Sequence, residues 1–461
     1  MSDRFVLRAN WVVPVTKPPI AQGEVVVEEG RIAEVRPARG VLDARTGRDF
    51  GEAVILPGFV NAHTHLDYTL FRGLVEDREF FAWIRELVKR SRLLSKEDWR
   101  VSAMLGAAEA VASGITTIGD CTPTGASLEA AKMFGLGGVI YQEVFGIGED
   151  QTVEEILREL AQKVVTLKEA SNDSRLTIGI SPHAPYTVRP ALFQALARWA
   201  HRQQVPICIH AAESREELEL LLEGRGIIAQ SFEERRISWR VPHQSVVAYL
   251  DALGIVGPQT LLVHGVNVSV KDCVLAQQRG AAWVHCPKSN AKLGNGIAPL
   301  ALLSTYHGAE SRVGLGTDSV VSNNTLDMIE EMRFAVLLQR AARRQVDALT
   351  AEQAVKLATL GGANALGLKD VGVLEIGKRA DLCVVRLDRL HTTPYYDPYS
   401  ALVYTARASD VVLAMIDGRV RYDATLHAKM KYRFPENDLV PLFESLSHIT
   451  ARLQASLEIH R

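Results

Sequence analysis

Two histidines separated by one residue, His63 and His65, close the apolar run AVILPGFV within AVILPGFVNAHTH. On an extended segment residues i and i+2 point to the same side, so two imidazoles there can hold one metal ion. More chemistry-bearing residues stand in the same context, each after a short apolar run: His183 in SPHAP, His210 in ICIHAAE, His264 in LLVHG and Asp318 in GLGTD. Taken singly, each reads equally well as a buried histidine bonded to backbone or an aspartate capping the next helix. Repeated at successive strand ends, the pattern points to one site. His63, His65, His210 and Asp318 form a donor set suited to Zn²⁺ or Fe²⁺, with water completing an open catalytic site. Such an ion lowers the pKa of its bound water from about 15.7 toward about 7. Hydrolysis then needs a group that moves a proton. Glu213, three residues after His210, can face the same cavity and is the candidate shuttle. Glu213, Glu216 and Glu217 also open a helix, where carboxylates favour the dipole. His264 could hold and polarise the attacking water or a tetrahedral oxygen. Asp318 could both ligate the metal and accept a proton.

The elements that must position these groups are eight apolar runs: Val54–Val60, Thr116–Asp120, Gly138–Phe145, Thr177–Ser181, Pro206–His210, Thr260–His264, Ala282–His285 and Val313–Asp318. Helical patterns such as Asp98–Ser113 and Val153–Ala170 separate them. The alternation predicts an α/β fold, a (β/α)8 TIM-like barrel with its chemistry at the C-terminal strand ends. His183, His210, His264 and Asp318 are then assigned to the ends of strands five, six, seven and eight. Strand texture also occupies both chain ends, with Phe5–Ala9, Glu24–Glu28 and Ile32–Val35 before the barrel. After it come VGVLEIGKRADLCVVRLD and a hairpin around Asp417-Gly418. The expectation is a small β-sandwich domain built from residues 1–56 and 371–434, a barrel over 57–370, and a C-terminal helix over 435–461.

Composition narrows the partners. The 461 residues are 47% hydrophobic and 23% charged, the profile of a globular chain. Lys plus Arg is 52 against 54 for Asp plus Glu, a net charge of −2, so no nucleic-acid or membrane-surface partner is expected and a small molecule fits. No stretch reaches the roughly 18 apolar residues of a membrane helix, and Met1–Val13 reads as a strand rather than a secretory signal. Five scattered cysteines suggest a reducing cytoplasm rather than a disulfide framework.

The segments PGFVNAHTHLDYTLFRG, SPHAPYTV, ICIHAAES, LLVHGVN, HCPKSNAKLGNG and GLGTDSVVSNN resemble, in order, six motifs of the metal-dependent amidohydrolase superfamily. GVLEIGKRADLCVV is similar to the motif that returns such chains to their β domain. Within the superfamily the sequence is similar to the aminohydrolase branch acting on adenosylhomocysteine and other adenosine-like compounds, cytosine, guanine and s-triazines. The resemblance implies one divalent ion on His63, His65, His210 and Asp318, Glu213 and His264 as catalytic partners, and His183 as a substrate contact. His285, Ser289 and Asn290 resemble residues that line the family's pocket, and Asn290 reads equally as a turn stabiliser. Ser322 could contact the ring or cap the next helix. Binuclear members carry a bridging lysine at the end of strand four. VIYQEVFG, assigned to that end, has none, although Glu143 could bridge a second ion.

HTHLDYT, the helical insert FFAWIRELVKRS, YQEVFG and HAPYT look most like aminodeoxyfutalosine deaminases. Two residues depart from that group, which tends to have Glu where Asp67 stands and a small residue where Tyr68 stands. Arg92 lies near the position where members acting on adenosylhomocysteine carry an acid that holds ribose hydroxyls. Arg85, Lys89 and Arg92 make one helix face basic, read either as a solvated face or as a lid that attracts a substrate carboxylate. The implied reaction is hydrolytic deamination, releasing ammonia from an aminated heterocycle. Neighbouring reactions are hydrolytic loss of chloride or an alkylamine from a triazine, and cleavage of a cyclic amide. The family also implies a homodimer.

Overall fold

The computed structural model describes residues 4–172, 174–305, 311–425, 434 and 439–458. Eight parallel strands make the barrel: Phe59–Thr64, Ile115–Thr122, Gly137–Val144, Leu176–Pro182, Ile207–Ala211, Thr260–His264, Ala282–His285 and Val313–Leu315. Each pairs with its sequence neighbour. The ring closes where Thr64 bridges Asp318 and the Asp318 N–H donates to the His63 carbonyl at 3.0 Å. Alternate residues fill the interior with Val60, Ala62, Cys121, Tyr141, Cys208, Val263 and Val284, all buried. The outward alternates pack under the helices. Two of these, Lys96–Ala112 and Val153–Ala170, begin with capping boxes at Ser95/Asp98 and Thr152/Glu155.

Two assignments read from the sequence change. The run Val54–Val60 is not one strand. Ala53–Pro57 belongs to the other sheet, and the first barrel strand starts at Phe59. Gly58 makes the joint, where any Cβ would lie 2.2 Å from the Thr116 methyl. The count of strand ends also moves by one. His183, His210 and His264 follow or close the fourth, fifth and sixth strands, because the strand ending in His285 is the seventh. VIYQEVFG accordingly ends the third strand. The fourth runs out in ISPHAP, which has no lysine either.

The second sheet draws on both chain ends in the order 419–423, 411–416, 382–386, 53–57, 5–12, 20–28, 31–37, with 47–49 beside 5–12. Its inward residues, among them Leu7, Val25, Ile55, Leu382 and Leu413, form one core. The Asp417-Gly418 hairpin has both residues at positive φ, 54° and 73°, as a primed turn requires. Arg175 on the barrel and buried Asp381 on the sheet form a two-pronged ion pair at 3.0 and 2.5 Å. The terminal helix covers Val440–Glu458, and Leu453 and Ile449 pack on Val101. The rest of the expected 435–461 span, apart from Leu439, lies outside the described residues.

Candidate active site

The seam that closes the barrel is also where the predicted ligands meet. His63 and His65 project to one side of the first strand with ring centroids 4.8 Å apart. His65 Nε2 lies 3.2 Å from His63 Nε2 and 3.3 Å from His210 Nε2. Asp318 Oδ1 is 3.5 Å from both His63 Nε2 and His65 Nε2. Donors about 2.0–2.1 Å from a zinc ion sit about 3.3 Å apart at the corners of a tetrahedron, so His63, His65 and Asp318 can share one such ion, with His210 Nε2 at the same spacing from His65. The electrostatics agree, because the cluster recruits a single positive charge. His63 is pushed up to about 10: burial opposes a proton there, but hydrogen bonds to Asp318 and Cys208 outweigh it. Burial, aided by the charge on His63, pushes His65 well below the usual imidazole range and His210 down to about 4.

Each donor is held from behind. The His210 Nδ1–H donates to the His183 carbonyl at 2.9 Å, which leaves Nε2 free to bind a metal. The carboxylate of Asp318 accepts from the Ser289 hydroxyl at 2.6 Å and the Ser322 hydroxyl at 3.0 Å, both on Oδ2, leaving Oδ1 inward. Asp318 (φ 59°) and His264 (φ 77°) both adopt the left-handed backbone region. Such strain costs on the order of 1–3 kcal/mol per residue and persists only where the surroundings enforce it. Gly316 lets the eighth strand approach the first, since a Cβ there would stand 2.7 Å from the His63 carbonyl oxygen.

Glu213, just past His210 on the fifth strand, and His264, closing the sixth, face the donors. Burial, then the nearby charges of Asp318 and Glu217, raises the Glu213 carboxyl well above the usual range. Its Oε1 accepts from the Asn295 amide at 3.2 Å, while Oε2 stands 3.8 Å from His264 Nε2. Burial keeps His264 well below the usual range and hence neutral. Its Nδ1–H donates to Asn290 Oδ1 at 3.1 Å, and the Asn290 amide donates to His285 Nδ1 at 3.2 Å. Nε2 of His264 therefore carries the lone pair, buried and without a hydrogen-bond partner among the described residues.

These groups form the floor of a cavity of about 250 Å³. His65, His210, Glu213, His264, Asp318, His183 and Glu143 line it. His285, Ser289, Asn290 and Ser322 do not; they are fully buried one layer behind, on Asp318 and His264. Glu143 approaches His65 Nδ1 at 3.8 Å, the ring nitrogen opposite the one facing Asp318. Burial, then Asp67, raises Glu143 to about 8. The outer wall comes from the helix Phe80–Ser91, through Phe80, Trp83, Ile84 and Leu87. Arg85, Lys89 and Arg92 on that segment are exposed and outside the cavity, as the solvated-face reading expects.

Several residues here escape sequence reasoning. Asn295 lies within the motif HCPKSNAKLGNG, yet nothing in its spacing signals a bond to Glu213. The sulfurs of Cys121 and Cys208, 3.6 Å apart, both face His63 Nδ1, at 3.8 and 3.9 Å. Cys208 stands two residues before His210 on one strand and so shares its side, a signal that was available.

A sequence profile described as the amidohydrolase family matches residues 54–421. The 5-methylthioadenosine/S-adenosylhomocysteine deaminase of Syntrophobacter fumaroxidans is 37% identical over 406 residues, 86% of this chain and 87% of that one. The 5′-deoxyadenosine deaminase of Methanothermobacter thermautotrophicus is 32% identical over 403 residues, 87% of this chain and 89% of that one. Among solved structures, a zinc-bound adenosine deaminase from Xanthomonas campestris superposes with a TM-score of 0.83 at 27% identity, covering 98% of each chain.

Proposed function

This chain belongs to the amidohydrolase family, and we propose that it is a hydrolytic deaminase releasing ammonia from an adenosine-type aminated ring. The observation that carries this reading is the meeting of four donor atoms, each 3.2–3.5 Å from at least one other, on the floor of a cavity that also holds Glu213 and a neutral His264. We assign one divalent ion, zinc, to His63, His65, His210 and Asp318, where it would supply a water acidified toward neutral pH.

The chain's own residues do the rest. Glu213 takes one proton from the attacking water to the ring nitrogen beside the amino-bearing carbon, and then passes the second proton, from the hydroxyl left on that carbon, to the departing amine. Its raised proton affinity suits that relay, and the Asn295 bond to Oε1 turns Oε2 toward the reacting atoms. His264 Nε2 accepts a hydrogen bond from the water and so aims its oxygen at the carbon. His183 and Glu143 reach the cavity and are suited to hold the ring. Ser289, Ser322 and Asn290 act one step back, fixing Asp318 and His264, and His285 supports Asn290 in turn.

Ammonia release from zinc-loaded protein, measured against adenosine-type nucleosides, aminodeoxyfutalosine, cytosine, guanine, pterins and aminotriazines, tests this. Turnover should be highest with the adenosine-type members. Chloride or alkylamine release from a triazine, without ammonia from any nucleoside, would overturn it.

A further inference from the structure

The cavity changes character abruptly above its floor. Beyond the metal donors, Glu143 and Glu213, its wall is mostly apolar, with Phe80, Trp83, Ile84, Leu87, Phe145 and Leu293, although Tyr68, Ser91, Tyr186 and Thr187 line it too. No lysine or arginine is among the described residues that line it. Lys and Arg on the helix Phe80–Ser91 were candidates to receive a substrate carboxylate, but Arg85 and Lys89 point to solvent. Of the three cations in the next space outward, Arg78 alone has no ion pair among the described residues, and it lies outside this cavity. A more polar cavity adjoins through Phe80, Trp83 and Leu293. Its Arg78, Arg215 and Lys292 are matched there by Asp77, Glu79 and Glu216. Arg215 is already paired with Glu219 at 3.0 Å and Lys292 with Glu76 at 2.6 Å.

From this geometry we infer that the outer chamber selects the substituent carried by the aminated ring, and that it takes an uncharged alkyl or aryl tail while rejecting a zwitterionic amino-acid tail. The inference rests on the adenosine-type reading above and divides substrates that the name of one relative joins. A carboxylate entering this sleeve would shed water and meet no lysine or arginine, whereas a thioether or phenyl group replaces water on apolar and aromatic walls. Edge and face contacts with Trp83, Phe80 and Phe145 favour an aryl group further.

The test compares kcat/KM of the zinc-loaded protein for three probes sharing one ring and sugar: 5′-methylthioadenosine, 5′-phenylthioadenosine and S-adenosylhomocysteine. The first two should exceed the third by about 100-fold, the scale on which a site built for one chemistry rejects another. Leu87→Arg, a change on the partly exposed wall, adds the missing cation and should narrow that ratio about tenfold, the worth of one charge-assisted hydrogen bond. Turnover of S-adenosylhomocysteine within about threefold of the methylthio compound would overturn the inference and leave the deaminase reading standing. An unchanged ratio in a Leu87→Arg protein that still turns over the methylthio compound would also overturn it. Ammonia from none of the three would overturn both.

Discussion

The floor and the outer wall of the cavity are built on opposite principles. The floor is polar and strained, assembled from the ends of six different strands. Asp318 and His264 sit in left-handed backbone, and His264 Nε2 and Glu143 Oε2 are buried without a hydrogen-bond partner among the described residues. The outer wall is one amphipathic helix, inserted after the first strand, whose apolar face packs on Phe71, Val75 and Val321. Strain and orphaned polar atoms cost stability and persist where reactivity needs them. An apolar helix face costs nothing to bury and can change without disturbing the strands. On the proposed reading, the contrast separates the chemistry, carried by the barrel, from the choice of substrate, assigned to the insert.

Breaking the floor should have the largest effect. Glu213→Gln keeps the shape and the Asn295 contact but cannot relay a proton. It should lower kcat by about 10²–10⁴-fold while metal content by elemental analysis stays at one ion per chain. Breaking the outer wall should act differently. Trp83→Ala should raise KM for an apolar-tailed substrate about tenfold with kcat little changed, the signature of lost binding made equally in ground and transition states. A fall in kcat as large as that of Glu213→Gln would erase the distinction between the two regions.

The smallest effect lies beneath the floor. Glu331 accepts from the Asn323 amide at 2.5 Å and the Lys288 N–H at 3.2 Å, and Asn323 in turn donates to the Thr317 carbonyl next to Asp318. Burial raises Glu331 from 4.5 to about 8, so the folded chain keeps a proton that the unfolded chain gives up. Its contribution to stability is therefore fullest below pH 4.5 and is lost as pH rises to about 8. The slope is at most about 1.4 kcal/mol per pH unit. Urea unfolding of wild type and Glu331→Gln across that range should show a flatter profile for the variant.

The floor was legible in the sequence because its logic is local. A two-residue period ending an apolar run places a side chain at a barrel rim, and five such ends supply the site's histidines and Asp318. The joint at Pro57-Gly58 was not, because two strands of different sheets read as one apolar run, and only the Thr116 side chain pressing on Gly58 separates them. Asn295 and the Cys121–Cys208 pair depend on side chains meeting across distant segments, which no spacing reveals. The outer wall was half legible: the insert read as a helix, but which of its faces looked inward required the fold. The basic face turned to solvent because its apolar face had a core to join.

Removing the metal tests the central claim most directly. Protein stripped with a chelator should release no ammonia from an adenosine-type substrate, and one equivalent of zinc per chain should restore full turnover in wild type but not in His210→Ala. Full turnover by stripped protein, or restoration of the His210→Ala variant by one equivalent, would contradict the assignment of the four strand-end donors as the ion's site.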